Sequence, residues 1–194
     1  MAATESTMLE LGTPAPDFKL PDTVTGKTVS LATFQNQKAL LVIFLSQHCP
    51  FVKHVKAELA RLGADYAPKG VGIVAICSND VVHYPDDSPE HLKAMSQELH
   101  LNYPVCYDET QAVAKAYRAA CTPEFYLFDQ DRRLVYRGQL DDSRPKNDIP
   151  VTGKDLRSAL DALLASKAIS PDQKPSIGCN IKWKAGNEPD YYSR

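Results

Sequence analysis

The stretch ALLVIFLSQHCPFVKHV, residues 39–55, decides the fold. Its first seven residues are uniformly apolar and mostly branched. A strand buried on both faces reads that way, as parallel central strands do. Its last part opens a helix. Val52, Val55, Leu59, Leu62 and Tyr66 recur at steps of three and four and draw one apolar stripe over residues 50–67. Pro50 suits the first helical turn, where its missing N–H does no harm, and Pro68 and Gly70 end the helix. Cys49 stands on the junction between strand and helix. A local dithiol motif would place a second cysteine three residues on, and that position is Val52.

Outward from this junction the pattern alternates. Residues 15–34 read as two short strands around a Thr25-Gly26-Lys27 turn. Residues 71–77, VGIVAIC, form a second buried strand. A long loop over 78–91 leads to a helix opened by Ser88-Pro89 and running to about residue 100. A short strand over 103–108 and a short helix over 109–117 follow. Residues 124–138 make an antiparallel hairpin about an Asp129–Arg132 turn. Thr152, with Asp155 three residues on, starts a last helix to about residue 167. Strand–helix alternation first and a hairpin last predict an α/β fold, a mixed central sheet flanked by helices, with an N-terminal β extension. The expected organisation is a mobile lead-in over 1–14, one domain over 15–167, and a proline-rich tail over 168–194. The tail either wraps the surface or stays mobile.

Composition narrows the classes. The chain has 194 residues, 43% hydrophobic and 24% charged, with a net charge of −2. These values suit one soluble domain and leave no basic footprint for nucleic acid. The longest apolar run is far too short to span a membrane. The start, MAATESTMLELG, lacks the charged and apolar regions of a signal peptide, so a cytoplasmic address with free or transiently oxidised thiols is expected. Five cysteines leave at least one unpaired within the chain.

Cys49 carries the chemistry. A helix N-terminus offers unpaired N–H groups and positive partial charge, which favour a thiolate over a thiol. The thiolate is the form that attacks disulfides and peroxides. Burial as a small core residue is the plainer reading of a random cysteine, but strand end, helix start and Pro50 coincide here. Thr122-Pro123, ahead of the apolar strand at 124–128, is a second signal, since an X–Pro bond there can be cis. Cys49, His48 and His54 have metal-donor atoms but no ligand spacing, so neither metal nor cofactor is expected. No phosphate loop or Gly-x-Ser-x-Gly elbow occurs. Trp183, between two lysines, reads as an anchor of the tail.

Taken together, GTPAPDF (12–18), the junction at Cys49, YPVCYDETQAVAKAY (103–117) and CTPEFYLFD (121–129) resemble the thioredoxin-fold superfamily. Within it they resemble the alkyl-hydroperoxide-reductase/thiol-specific-antioxidant group. SIGCNIKWKAGNEP (176–189) resembles a peroxiredoxin-like subgroup. The resemblance implies a thioredoxin fold and an antioxidant or thiol–disulfide oxidoreductase using Cys49. It also implies a cis-proline loop at Thr122-Pro123 that pairs with a substrate segment over the sulfur. Ser46 fits the hydroxyl position of the peroxiredoxin motif and is expected to bond the sulfur or oxidant. Val42 replaces that motif's proline, and Pro123 stands where its arginine would. The expected site is Cys49, Cys121 and Ser46 as catalytic residues, with Thr122, Pro123, Pro50 and His48 binding substrate. Cys121 is the first candidate to resolve Cys49 and Cys179 the second, with Cys77 and Cys106 expected in the core. The implied partners are a disulfide or peroxide substrate and a thiol reductant of thioredoxin or glutathione type. The alternatives are a peroxiredoxin-like peroxidase and a non-catalytic partner-binding module.

Overall fold

The computed structural model describes residues 3–192. The elements in chain order are β1 (Ala3–Glu5), β2 (Lys19–Pro21), β3 (Thr28–Ser30), β4 (Ala39–Phe44), α1 (Pro50–Tyr66), β5 (Val71–Cys77), α2 (Pro89–Glu98), β6 (Val105–Tyr107), α3 (Ala112–Ala116), β7 (Cys121–Thr122), β8 (Glu124–Phe128), β9 (Leu134–Gly138), α4 (Lys154–Leu164) and β10 (Ile177–Asn180). The central sheet has the order β6-β5-β4-β8-β9. β4, β5 and β6 are parallel, and β8 and β9 return antiparallel. This is the mixed sheet of a thioredoxin-like fold.

β4 is buried at every position because the sheet is covered on both faces. Leu41, Ile43 and Leu45 face one core, where Val52, Val55, Leu59 and Leu62 of α1 meet Leu156 and Leu160 of α4. Leu40, Val42 and Phe44 face the other, with Tyr117, Tyr126 and Phe128. The two-residue alternation of a strand divides one apolar run between two layers. Cys49 therefore emerges from the fully buried centre of the molecule directly into α1.

Two helices begin later than the sequence pattern implies. α3 starts at Ala112, since Gln111 takes a left-handed conformation (φ 63°) and sends its amide inward to the carbonyls of Ser78 and Lys182. α4 starts after Gly153 (φ 67°), without a Thr152 capping box. There the buried Asp141 carboxylate accepts the N–H groups of Thr152 and Gly153 at 2.7 Å each, fixing the turn from outside the helix. α4 also ends sooner than expected, at Leu164.

The two flanking segments meet. β1, β10 and β7 form a separate three-stranded sheet with β10 in the middle. Ala3 pairs with Cys179, and Cys179 pairs with Thr122 on its other side. The lead-in and the tail thus converge on the Thr122-Pro123 loop. Trp183 packs against the second core and meets the Tyr191 ring edge-on at 6.4 Å.

The body of α1 is pinned by charge. Glu58, 1% exposed, accepts from Arg157 Nε of α4 at 2.5 Å and from Arg61 Nε at 2.7 Å. Removing one partner of a buried pair leaves an uncompensated charge. Arg157→Ala should lower unfolding stability by about 3 kcal/mol, read as a shift in the urea midpoint. An unchanged midpoint would mean that Arg61 alone neutralises Glu58.

Candidate active site

Cys49 caps α1, with extended backbone (φ −69°, ψ 123°) and Pro50 in the first turn. Its side chain is fully buried, while Pro50 beside it is exposed and Gln47, His48 and Phe51 are half-buried. The Thr122-Pro123 peptide bond is cis. Cys49 Sγ lies 3.2 Å from the Thr122 carbonyl oxygen, across 73 residues of sequence.

The second sulfur at the site is that of Cys179. Pairing of β10 with β7 sets Cys179 opposite Thr122 and places its thiol beside Cys49 in the same core. The neighbouring Cys179 thiol is the largest influence on Cys49 and lowers its pKa to about 6. Burial works against the charge, while the Thr122 side chain and the N–H groups of Val52 and Cys179 favour it. The Thr122 hydroxyl is buried with no other partner, so the sulfur anion is its natural acceptor. Cys179 is driven the opposite way, well above the thiol range, by its bond to Cys49, by burial and by the nearby negative sulfur. The two shifts run in opposite directions, favouring the anion on Cys49 and the proton on Cys179. Lys182 lies close enough to feel both sulfurs and Asp87. Burial lowers its pKa, and these negative neighbours oppose the shift.

Cys121, the first candidate partner, is placed differently. Its sulfur contacts Glu124 Oε2 at 3.9 Å and the Ser176 carbonyl at 3.8 Å. Burial, and then the negative charges of Glu124 and Cys49, push its pKa well above the usual range. Burial also raises Glu124, to about 7. Cys77 and Cys106 are core thiols raised by burial. All five cysteines are free.

Ser46 does not bond the sulfur. Its hydroxyl donates to the Asp87 carboxylate at 2.9 Å. Asp87, fully buried, also accepts from the Gln47 N–H at 2.6 Å, His48 Nδ1 at 2.7 Å and Asn79 Nδ2 at 2.6 Å. Burial raises its pKa, but the bonds from His48, Asn79 and Ser46 outweigh that and hold it below the usual carboxylate value. The carboxylate fixes residues 46–48 ahead of Cys49. His48 stacks on Tyr84 at 5.4 Å, and Lys182 Nζ lies 5.6 Å from the same ring. Asp87 had no sequence signal beyond the unusual length of the 78–91 loop, and Lys182 none beyond its place beside Trp183 in the 176–189 segment. Arg118 stacks on Tyr191 at 4.6 Å, and among the described residues no arginine bonds Cys49. No group of three or more metal-donor side chains occurs among the described residues.

Known proteins resemble this chain in sequence and fold. The Redoxin family model covers residues 10–156. An uncharacterized conserved protein from Geobacillus kaustophilus is 57% identical, covering 95% of this chain and 97% of that one, with a TM-score of 0.93. A hypothetical protein from Sinorhizobium meliloti 1021 is 50% identical over 94% of this chain and all of its own, with a TM-score of 0.92. The thiol-disulfide oxidoreductase ResA of Bacillus anthracis is 24% identical over 127 residues, 66% of this chain and 68% of its own length.

Two outcomes test this geometry. Thiolate absorbance of Cys49, taken as the difference from Cys49→Ser, should titrate with a midpoint near 6. Cys179→Ala should move that midpoint up toward the free-thiol ~8.5, and an unmoved midpoint would remove Cys179 as the cause. Because its folded pKa is depressed, Asp87 contributes stability above the ordinary carboxylate pKa of ~3.9 and loses it on further acidification. Asp87→Asn should be less stable near neutrality and show a shallower acid limb in pH-dependent urea unfolding.

Proposed function

Because the chain belongs to the Redoxin family, we propose that it is a thiol–disulfide oxidoreductase with Cys49 as nucleophile and Cys179 as the resolving thiol. The observation that carries this reading is the placement of Cys49 Sγ 3.2 Å from the Thr122 carbonyl oxygen with Cys179 paired opposite that same residue. A thiol pKa near 6 makes the sulfur mostly anionic at neutral pH without forfeiting much nucleophilicity. That value speaks against a non-catalytic module. With no arginine among the described residues bonded to Cys49 to polarise an O–O bond, disulfide exchange is favoured over fast peroxide reduction. Cys179 is favoured over Cys121 because Cys121 would have to ionise beside the Glu124 carboxyl. Thr122 and Pro123 shape the wall over the sulfur, and exposed Pro50 and half-buried His48 form its rim. A thiol reductant of thioredoxin or glutathione type would return the oxidised pair to the dithiol.

Mass spectrometry after one equivalent of oxidised glutathione tests the assignment. The expected product is a Cys49–Cys179 crosslink that is absent in Cys49→Ser. In Cys179→Ser a glutathione adduct should persist on Cys49. A Cys49–Cys121 crosslink would reassign the resolving thiol, and an unmodified Cys49 would reject the proposal.

A further inference from the structure

Strand β7 is extended backbone bordering Cys49, and its Thr122 carbonyl oxygen lies 3.2 Å from the sulfur. An extended polypeptide delivering a disulfide would dock there by adding a strand, since open backbone N–H and C=O groups recruit strands. In this chain the place is taken. β10 pairs along β7, Cys179 to Thr122 and Asn180 to Cys121, and β1 covers the far edge of β10. Gly178 shows how tight the fit is, because a Cβ there would lie 2.0 Å from the Thr122 oxygen.

The strand is held at both ends. Upstream, Ser6 N–H donates to the Ser176 carbonyl at 2.9 Å, and the Ser176 hydroxyl donates to the Gly138 carbonyl at 2.5 Å. Downstream, Lys182 N–H donates to Asn79 Oδ1 at 2.8 Å, and the Lys182 carbonyl accepts from Asp80 N–H and Gln111 Nε2. The cavity bordering Pro123 and Ile177 holds about 20 Å³, room for one water. A small reagent needs an opening only around the half-buried His48 and Phe51, next to exposed Pro50. A polypeptide needs the whole backbone edge.

We infer that β10 is the protein's own substrate strand: it presents Cys179 to Cys49 where an external polypeptide would present its cysteine, and so restricts the direct oxidants of Cys49 to low-molecular-weight disulfides. The inference rests on the proposed exchange chemistry at Cys49. The Cys49 thiolate attacks one sulfur of the small disulfide RSSR. The S–S bond breaks, a Cys49–S–S–R bond forms, and the released RS⁻ takes up the proton that Cys49 gave to solvent. Cys179 then attacks the Cys49 sulfur and yields its proton to the second RS⁻ as the mixed disulfide breaks. Two electrons pass from the protein dithiol to RSSR, leaving a Cys49–Cys179 disulfide and two RSH. The second step needs no diffusing partner, because the register of β10 already sets Cys179 opposite Thr122, beside Cys49.

The test compares oxidised glutathione with insulin, a polypeptide disulfide, as oxidants of the reduced full chain, at equal disulfide concentration. Formation of the Cys49–Cys179 bond is followed by mass. The expected wild-type result is oxidation by glutathione at least tenfold faster than by insulin. Gly178→Val, which drives a side chain into the Thr122 carbonyl, should raise the insulin-to-glutathione rate ratio at least tenfold, with loss of either thiol followed as the readout. Gln111→Leu removes a downstream anchor without touching β10 and should raise the same ratio severalfold, which keeps the test open if Gly178→Val fails to fold. Insulin matching glutathione on the wild type would overturn the inference while leaving the exchange chemistry standing. So would an unchanged ratio in a variant with native circular dichroism. If neither oxidant modified Cys49, the exchange reading itself would fail and take the inference with it.

Discussion

The Thr122 peptide unit is the constraint on which the site depends. Its carbonyl oxygen lies 3.2 Å from Cys49 Sγ, its backbone pairs with Cys179, and its oxygen fills the space that a Gly178 side chain would need. Three segments separated by tens of residues are locked to one another there. Its hydroxyl adds a donor for the charged sulfur. Lowering a thiol from its usual value to about 6 corresponds to a preference for the anion on the order of 3 kcal/mol. No single neutral hydrogen bond supplies that, since each contributes about 1 kcal/mol net. Several donors converging on one buried sulfur are needed: Thr122 and Val52 come from β7 and α1, and Cys179 is added because β10 is seated on β7.

The framework was legible in the sequence where it rests on local periodicity. The bounds of β5 and the start of α1 follow from apolar runs, a helical stripe and Pro50. So do the hairpin of β8 and β9 and the division of β4 between two cores. The junction at Cys49 and the loop at Thr122-Pro123 were readable for the same reason, being ends of strongly patterned elements. What failed was local capping. Asp141 overrides the Thr152 signal, and Gln111 is drawn inward to carbonyls of other segments. Both are tertiary contacts that outcompete a weak local preference.

The choice between thiols shows a different limit. Cys121 stands nearer the cis-proline in sequence, which made it the first candidate. Side chains alternate along a strand, so when Thr122 offers its carbonyl and hydroxyl to Cys49, its neighbour is turned toward Glu124 and Ser176. Cys179 lies in a tail without periodicity, and only a long-range register between 121–122 and 179–180 brings it to the site. Nothing within a short window of sequence encodes that register. The requirement for glycine before Cys179 becomes visible only beside the Thr122 oxygen.

Asp87 extends the same logic to the other side of the sulfur. A buried carboxylate is costly unless most of its acceptor sites are filled, and here Ser46, Gln47, His48 and Asn79 fill them. The loop over 78–91 is therefore fastened to the segment entering Cys49, and Asn79 passes the constraint on to the backbone of Lys182. The tail that carries Cys179 is thus tied to the loop that orients the approach to Cys49. Ser46 belongs to this framework, one bond removed from the chemistry its position in the motif suggested. Lys182 brings positive charge close to both sulfurs while its main chain anchors β10. Charge placement and strand placement at this site are therefore one structural decision, made by residues 79, 87 and 182 together.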